Sequence, residues 1–364
     1  MSQLVFYRKY RPKLFSEVIN QKNVIETLKN ALIRDEISHA YLFCGPRGSG
    51  KTTVARLLAK SLNCLNRKKG EYEPCNQCAS CEAINNNNSL DIIEIDAASN
   101  RGIDDIRDLR ESIKFAPTTS KYKIYIIDEA HQITKDAFNA LLKTLEEPPS
   151  YIVFILATTE PEKLPPTILS RLQRYDFRKL GLEDIKKRLA LICEKEKITY
   201  EDEALRLIAL YSEGGLRDAE SLLGQIALVS NRNVRKKDVE EIFGLIGNDK
   251  VKKFVDLIIK KDKEKAIEAI NEIYEEGYDL ELFNKNLLSY LRWILLLKIS
   301  PSLANFIEKE VTDEELKILF KQASAIDFAY LERIIKRLVD VQNQLKRTPI
   351  PVLPIEIFLS EELN

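Results

Sequence analysis

The sequence carries no net charge, no long hydrophobic run and no internal repeat. Among 364 residues, 56 lysines and arginines are balanced by 56 aspartates and glutamates, which argues against a uniformly basic coat for nucleic acid. A local patch stays open, since the first 178 residues contain 26 basic and 22 acidic side chains. The length exceeds one ordinary domain, and 45% hydrophobic residues are enough for packed cores.

The chain also lacks the signals of a membrane or secreted protein. Its longest apolar run, around residues 287–297, contains Arg292 and is shorter than the ~18–20 residues that span a bilayer. The start, MSQLVFYRKYRPK, is charged where a signal peptide needs an apolar core. We therefore expect a cytoplasmic protein, in which the six cysteines bind metal or stay free rather than form disulfides.

Strand and helix signals divide the chain into parts. Four β-rich runs alternate with helical patterns, at residues 39–44, 91–95, 123–127 and 151–156. This alternation predicts a parallel sheet with helices on both faces. After about Phe177 only helical patterns follow. We expect an α/β domain at residues 1–178, a small helical domain at 179–243 and a larger all-α domain at 244–364.

Residues 45–52, GPRGSGKT, fit the phosphate-loop pattern G-x-x-x-x-G-K-[ST]. Glycines let backbone N–H groups turn towards phosphates, and the following helix start favours an anion. Lys51 is expected at the β- and γ-phosphates, and the Thr52 hydroxyl at Mg²⁺. The predicted nucleotide-binding residues here are Gly45, Gly48, Ser49, Gly50, Lys51, Thr52 and Thr53.

A second acidic element completes the predicted ATP site. The strand KIYII ends in Asp128, placed for the Mg²⁺ shell, and Glu129, placed to orient the attacking water. The letters from Asp128 to His131 imitate a helicase box. A helicase of that class needs a second RecA-like domain, which the helical second half does not predict. The sequence therefore predicts ATP and Mg²⁺ binding but leaves open what hydrolysis drives.

Four cysteines form a separate cluster, spaced C-x10-C-x2-C-x2-C at Cys64, Cys75, Cys78 and Cys81. Thiolates at this spacing can close a tetrahedral, structural Zn²⁺ site. An iron–sulfur cluster and free thiols are the alternatives, although the usual cluster-binding run is absent. Cys44 and Cys193 are expected to be structural.

Further motifs occur in order along the chain: YRPKLFSEVINQ at 10–21, HAYLF at 39–43, FNALLKTLEEPP at 138–149, LATT at 156–159, TILSR at 167–171 and GGLRDA at 214–219. With the phosphate loop, they resemble the AAA+ clamp-loader ATPases, most closely the gamma/tau family of bacterial DNA polymerase III. The resemblance covers about residues 4–245. It implies a RecA-like parallel sheet, a helical lid and an all-α collar, and this family carries a cysteine module like the one above.

The resemblance also implies roles for single residues. The N-terminal box that closes over adenine is Tyr10, Arg11, Pro12 and Val18. Thr158 resembles the sensor near the γ-phosphate, with Thr159 as the alternative, and Arg217 resembles the second sensor. Arg171 resembles an arginine finger acting on ATP of a neighbouring subunit. The alternative for both arginines is a solvated surface side chain. Leu172 departs from the cysteine usual after the finger.

By the same resemblance, the loop after the second strand faces DNA. Ser99, Asn100 and Arg101 could donate to phosphates, or the loop could simply cap a helix. The implied partners are delta and delta prime subunits, further copies of the chain, the beta sliding clamp and primed DNA. The resemblance implies an ATPase without a polymerase site. A non-catalytic ring scaffold and an AAA+ remodeller of proteins or DNA junctions are the rival functions.

Overall fold

The computed structural model describes residues 5–86, 88–100, 102–242, 248–307, 311 and 313–363. The chain forms two compact units, Met1–Arg235 and Lys236–Asn364. Each unit has a hydrophobic core of its own. Among the described residues, no helix has the length and apolar character needed to cross a membrane.

The first unit is built around five parallel strands in the order β2-β3-β4-β1-β5. These are β1 (Ala40–Cys44), β2 (Ile92–Asp96), β3 (Lys123–Asp128), β4 (Ile152–Thr158) and β5 (Gln173–Asp176). Every residue of β1 and β4 is buried, which explains their continuous hydrophobic runs. The four predicted strands are confirmed. The edge strand β5 was missed because only Tyr175 of its four residues is buried.

Helices cover both faces of this sheet, as predicted. The helices of this part of the chain are α1 (Phe6–Lys9), α2 (Lys22–Arg34), α3 (Lys51–Leu62), α4 (Ala79–Asn85), α5 (Ile103–Ile113), α6 (Lys135–Glu146) and α7 (Pro166–Leu169), of which α1 packs on a later helix rather than on the sheet. Alternate residues of β1 join different cores. Tyr41 and Phe43 pack with α2 and α3, whereas Leu42 packs with α5 and α6. Because all strands run in one direction, their carboxyl ends meet at the edge that carries the phosphate loop.

Three helices follow the sheet within the same unit: α8 (Leu182–Glu196), α9 (Asp202–Tyr211) and α10 (Leu216–Val229). Their buried faces include Leu189, Ile208 and Leu223. A short parallel pair, β6 (Thr199–Tyr200) and β7 (Asn233–Val234), ties the helices together. Two-residue strands carry no periodic signal, so this pair was not predicted.

In the described residues of the second unit, every element of secondary structure is a helix. The unit contains α11 (Lys236–Ile242), α12 (Asn248–Lys260), α13 (Lys263–Glu275), α14 (Leu280–Ile299), α15 (Asp313–Ala325), α16 (Phe328–Leu345) and α17 (Leu353–Glu362). The longest apolar run of the sequence lies in α14, where Leu287, Leu291 and Ile294 are fully buried. Trp293 and Leu296 are partly buried and pack against the same core.

Candidate nucleotide-binding site and metal centre

Two glycines shape the loop between β1 and α3 because nothing larger fits there. Gly45 has φ 147°, and a Cβ added to it would lie 2.5 Å from the Phe177 carbonyl oxygen. Gly48 has φ 75°, and its Cβ would lie 2.8 Å from the Cα of Gly215. Gly50, at φ 100°, precedes the first residue of α3. The loop backbone is thus held close to the start of α10, and its N–H groups border the N-terminus of α3.

Lys51 bends back over this loop. Its Nζ donates to the carbonyl oxygens of Gly45 at 2.7 Å and Pro46 at 2.9 Å. Burial lowers the pKa of Lys51, while the nearby carboxylates of Glu129 and Asp128 act to raise it. A phosphate in the loop would replace two neutral acceptors with an anion, which suits a partly buried ammonium.

The two predicted magnesium ligands lie side by side. Thr52 Oγ1 donates to Asp128 Oδ2 at 2.8 Å, although the residues are 76 positions apart. The N–H of Glu129 donates to the other carboxylate oxygen of Asp128 at 3.0 Å. A hydroxyl and a carboxylate beside a phosphate loop are the oxygen ligands that Mg²⁺ takes in nucleotide sites, so the residues fit this ion.

The two threonines at the end of β4, both candidates for the sensor near the γ-phosphate, contact different residues. Thr158 is fully buried, and its Oγ1 lies 3.0 Å from His131 Nδ1. Thr159 Oγ1 donates to Glu129 Oε2 at 3.4 Å. Sequence reasoning missed His131, whose Nδ1 also lies 3.5 Å from Glu129 Oε2. Thr158, His131 and Glu129 therefore form one chain of contacts beside the phosphate loop.

The loop opens into a cleft that residues of α1, α8 and α10 also line. Its lining includes Tyr7, Arg11, Pro12, Glu17, Val18, Ile19, Arg47, Gly48, Ser49, Gly50, Lys51, Thr52, Thr53, Asp128, Glu129, Leu180, Arg188, Leu216, Arg217 and Glu220. The predicted Tyr10 is not among these residues. Its hydroxyl donates to Glu196 Oε1 at 2.6 Å, and burial raises its pKa to about 12. Tyr7 supplies the aromatic ring of the cleft instead.

Arg217 is the second residue of α10 and faces the phosphate loop across the cleft. Its guanidinium lies 4.7 Å from the centre of the Tyr7 ring. The cleft therefore brings the predicted second sensor onto the same surface as Lys51, Thr52 and Asp128.

An ion pair that no motif indicated also borders the cleft. Arg188 Nε on α8 lies 3.0 Å from Glu220 Oε1 on α10, and Arg188 also donates to the Tyr10 carbonyl. Burial raises the pKa of Glu220 to about 7, while Arg188 and Arg11 oppose that shift. The pair joins two helices and the N-terminal segment, and its 32-residue separation gives no sequence signal.

Arg171 lies outside the cleft of its own chain. It follows α7, where its guanidinium donates to the Thr167 carbonyl at 2.5 Å and pairs with Glu146 Oε1 at 2.5 Å. Its side chain is 32% exposed. Leu172, the departure from the family pattern, is buried in the sheet core. The surface position leaves the guanidinium accessible to another molecule.

In the loop after β2, the polar side chains of Ser99 and Asn100 contact Asp96. Ser99 Oγ lies 3.5 Å from Asp96 Oδ2, and Asn100 Nδ2 donates to the Asp96 carbonyl at 3.0 Å. Both residues are exposed. Arg101 lies outside the described residues. Helix α5 is capped by contact of the Gly102 N–H with Asp105 Oδ2 at 3.0 Å.

The four cysteines of the sequence motif converge between α3 and α4. The sulfurs of Cys64, Cys75, Cys78 and Cys81 all lie within 4.8 Å of one another. The Sγ atoms of Cys75 and Cys81 are 3.9 Å apart, near the ~3.8 Å edge of a zinc–thiolate tetrahedron with ~2.3 Å bonds. All four thiols are free of disulfides. Four soft sulfur donors in this arrangement fit Zn²⁺.

Backbone N–H groups favour thiolates at Cys75 and Cys78, whereas burial raises the pKa of Cys81. The N–H of Cys75 donates to Cys64 Sγ, and that of Cys78 to Cys75 Sγ, both at 3.3 Å. Burial alone would raise the pKa of Cys75, but N–H groups of Gln77 and Cys78 lower it to about 6. Burial raises the pKa of the isolated thiols Cys44 and Cys193, to about 11 and about 12. Those two are core side chains, as expected.

Comparison with known families covers most of the chain. A model of the delta subunit of DNA polymerase III matches residues 20–181. A model of the ATPase lid domain of a DNA polymerase III clamp loader subunit matches residues 184–231. A model of domain III of the gamma and tau subunits of DNA polymerase III matches residues 234–360.

Individual relatives agree with these families. DNA polymerase III subunit tau of Bacillus subtilis is 44% identical over 89% of this chain, which spans 57% of that protein. Subunit gamma of Buchnera aphidicola from Acyrthosiphon pisum is 36% identical over 99% of this chain and 98% of its own. A structure of the Thermotoga maritima RuvB Holliday junction branch migration motor is 21% identical, with TM-score 0.47, over 68% and 79% of the two chains. The chain spans about half the length of the tau relatives.

Proposed function

The chain belongs to the gamma and tau subunits of bacterial DNA polymerase III, and from that premise we propose that it is an ATP-hydrolysing clamp-loader subunit. Several copies assemble with delta and delta prime subunits into an open ring. ATP bound between subunits stabilises the form that holds the beta sliding clamp open around primed DNA. Contact with DNA triggers hydrolysis, and the complex releases the loaded clamp. This work takes place in the cytoplasm.

The observation that carries the proposal is the contact between Thr52 and Asp128. A hydroxyl from the phosphate loop and a carboxylate from the end of β3 meet at 2.8 Å, in the cleft that Lys51 also lines. This combination serves nucleotide hydrolysis, because the lysine neutralises phosphate and the two oxygens hold a hard cation. A ring scaffold without catalysis would not need all three.

Each residue then has a chemical task. Lys51 leaves the loop carbonyls for the β- and γ-phosphates, and Thr52 and Asp128 hold Mg²⁺. Mg²⁺ held by these residues would neutralise the negative charge that develops on the phosphates during hydrolysis. Glu129 orients the attacking water, and its contact with Thr159 fixes the carboxylate. Arg217, on α10 of the lid, contacts the nucleotide and so couples the position of the lid to the bound nucleotide.

Two further groups define the nucleotide's surroundings. Arg11, Pro12 and Val18 line the cleft and form its adenine end. Thr158 senses the γ-phosphate through its contact with His131. The proposed domains remain an ATPase domain at residues 1–178, a lid at 179–243 and a collar at 244–364.

Arg171 acts on a neighbouring subunit. Its exposure, and its absence from its own cleft's lining, support a role in trans as an arginine finger. In rings that mix Arg171→Ala with unaltered subunits, hydrolysis at the neighbour should stop while the variant still binds ATP. Loss of the variant's own ATP binding would contradict the trans role.

The cysteine cluster holds one structural Zn²⁺, which leaves no open position for catalysis. DNA is contacted through Ser99, Asn100 and Arg101. The exposure of Ser99 and Asn100 at the start of a helix supports this, although their present contacts with Asp96 would have to give way.

The test of the whole proposal is ATP turnover by the assembled complex with clamp and primed DNA. Lys51→Ala should abolish turnover and clamp loading, whereas the exposed Lys69→Ala should leave both unchanged. Unchanged turnover in Lys51→Ala would favour a non-catalytic scaffold. Turnover that the clamp does not stimulate would favour a remodeller of proteins or DNA junctions.

A further inference from the structure

Lys60 is a buried lysine that the nucleotide site does not use. It lies on α3, two turns beyond Thr53, and is 3% exposed. Its Nζ makes three hydrogen bonds, which saturate the donors of an ammonium. The acceptors are the Lys13 carbonyl at 2.9 Å, Asn76 Oδ1 at 2.6 Å and Asn85 Oδ1 at 3.0 Å. All three are neutral oxygens, so these bonds do not balance the charge.

Burying an ammonium without an opposite charge is costly, so its counter-charge has to be sought nearby. Among the residues the structure describes, no carboxylate forms an ion pair with Lys60. Burial lowers the pKa of Lys60, and Cys81 does more to raise it again than Glu17 or Glu73. The group that most opposes this effect of burial is therefore a cysteine of the cluster, when it is a thiolate.

The acceptors of Lys60 belong to the cluster's own segments. Asn76 follows Cys75 directly, and Asn85 lies on α4, one turn beyond Cys81. A tetrathiolate site that holds Zn²⁺ carries two negative charges, because four thiolates outweigh one divalent cation. Lys60 thus places a positive charge beside a group that gains its double negative charge only when it holds the metal.

We propose that Lys60 is the buried counter-charge of the metal-bound cysteine cluster and anchors that cluster to the nucleotide-binding helix α3. This inference rests on the proposed zinc site. Through the Lys13 carbonyl, the same ammonium also holds the N-terminal segment that carries Pro12 into the cleft. Lys60 is a positioning residue: it binds neither nucleotide nor metal and acts through the thiolates.

The experiment compares zinc retention in the intact chain. Unaltered protein, Lys60→Met and Lys69→Met are purified, and their zinc is measured by elemental analysis and by the rate of release to a chelator. Lys69 is an exposed lysine in the segment between Cys64 and Cys75, so its variant loses the same charge. We expect about one zinc per chain in the unaltered protein, release roughly 10-fold or more faster in Lys60→Met, and no change in Lys69→Met.

A second readout separates charge from packing. Lys60→Met should lower the thermal midpoint of the zinc-loaded protein but leave it equal or raise it after zinc is stripped, since the ammonium then loses most of its counter-charge. An equal loss in both forms, or unaltered zinc release, would overturn the proposal. If elemental analysis found no zinc in the unaltered protein, the proposed zinc site would be wrong, and this inference would be wrong with it.

Two safeguards keep the test decisive if Lys60→Met does not accumulate as folded protein. Lys60→Gln keeps a donor for the asparagine oxygens but removes the charge, and it should release zinc as fast as Lys60→Met. In the unaltered protein, Lys60 should resist amine-labelling reagents while zinc is bound and become labelled roughly 10-fold faster after chelation. Continued protection in folded, zinc-free protein would contradict the proposal.

Discussion

The cleft at the phosphate loop and the cysteine cluster both bring together side chains suited to hold a metal ion, but they are assembled in opposite ways. The cleft joins side chains far apart in sequence, since Thr52 meets Asp128 across 76 positions. The cluster gathers four thiols from a stretch of eighteen residues between Cys64 and Cys81. The first depends on the whole parallel sheet, and the second mainly on local turns.

The two sites also differ in the ligand atoms that they offer to a metal ion. The cleft offers two oxygen ligands and leaves the remaining positions to phosphate and water, which suits a reaction. The cluster offers four sulfurs and no open position, which suits a fixed structure. An open site can respond to a substrate, whereas a closed site stabilises its surroundings. Substitutions in the cleft should therefore change the rate of ATP hydrolysis. Substitutions in the cluster should change the zinc content and the thermal stability.

The largest effect is expected from Asp128→Asn. The substitution removes the negative charge that faces the cation but keeps an oxygen near Thr52 Oγ1. Transition-state charge then loses part of its stabilisation, so turnover should fall roughly 100- to 1000-fold. ATP turnover of the assembled complex and zinc content are measured together, and the zinc should not change.

Asp136→Asn is the matched control, because this carboxylate is exposed in the first turn of α6. Turnover in that variant should equal that of the unaltered protein. A fall of less than about threefold in Asp128→Asn would mean that the strand-end carboxylate is not a cation ligand.

The opposite result is expected from Cys81→Ser. Cys81 is fully buried in the cluster, and a serine hydroxyl is a poor substitute for a thiolate on Zn²⁺. Zinc content should drop from about one per chain to almost none, and the thermal midpoint should fall. Elemental analysis and a melting curve measure both.

The comparison would break if Cys81→Ser abolished ATP turnover in protein that still folds. Cys193→Ser provides the control, since Cys193 is equally buried but belongs to the core of α8. It should lower the melting point without changing the zinc content.

Features that short sequence motifs encode could be predicted from the sequence, whereas contacts between distant residues could not. The phosphate loop, the strand end at Asp128 and the cysteine spacing are short patterns, and the structure brings each set together. The pairing of Arg188 with Glu220 joins separate helices, and no periodicity encodes it. Tyr10 lies within a recognised motif, yet Tyr7 lines the cleft, because the four-residue helix α1 turns the ring of Tyr10 towards Glu196.

A smaller effect should separate two glycines with similar backbones. Gly48 in the phosphate loop and Gly70 in the cysteine segment have φ 75° and 90°. Alanine at either costs about 1 kcal/mol for the left-handed conformation. At Gly48 the added Cβ also lies 2.8 Å from the Gly215 backbone, whereas at Gly70 no atom lies within 4 Å.

We therefore expect Gly48→Ala to destabilise the protein by about 3 kcal/mol and Gly70→Ala by about 1 kcal/mol. Denaturant unfolding measures both. Gly48→Ala should also weaken ATP binding, because the loop has to move away from α10. Equal destabilisation by the two substitutions would show that the close approach to Gly215 has no energetic weight.

The smallest effect concerns pH and the ion pair at the cleft. Burial raises the pKa of Glu220 to about 7 in the folded protein, whereas an unfolded glutamate titrates near ~4.3. Between those values the folded protein holds the extra proton, so this group's contribution to stability declines as pH rises from about 4.3 to 7. Glu220→Gln does not titrate and should remove that decline.

The decline that Glu220→Gln removes should be about 2.5 kcal/mol between pH 5 and pH 8, because the folded and unfolded pKa values differ over most of that interval. Melting curves at the two pH values measure it as a change of roughly 5–10 °C in the thermal midpoint. Glu194→Gln is the control, since Glu194 is exposed on the same lid helix as Arg188. If Glu220→Gln kept the full pH dependence of the unaltered protein, the pKa of Glu220 would have its ordinary value in the folded protein. Water would then reach the Glu220 carboxylate in the cleft.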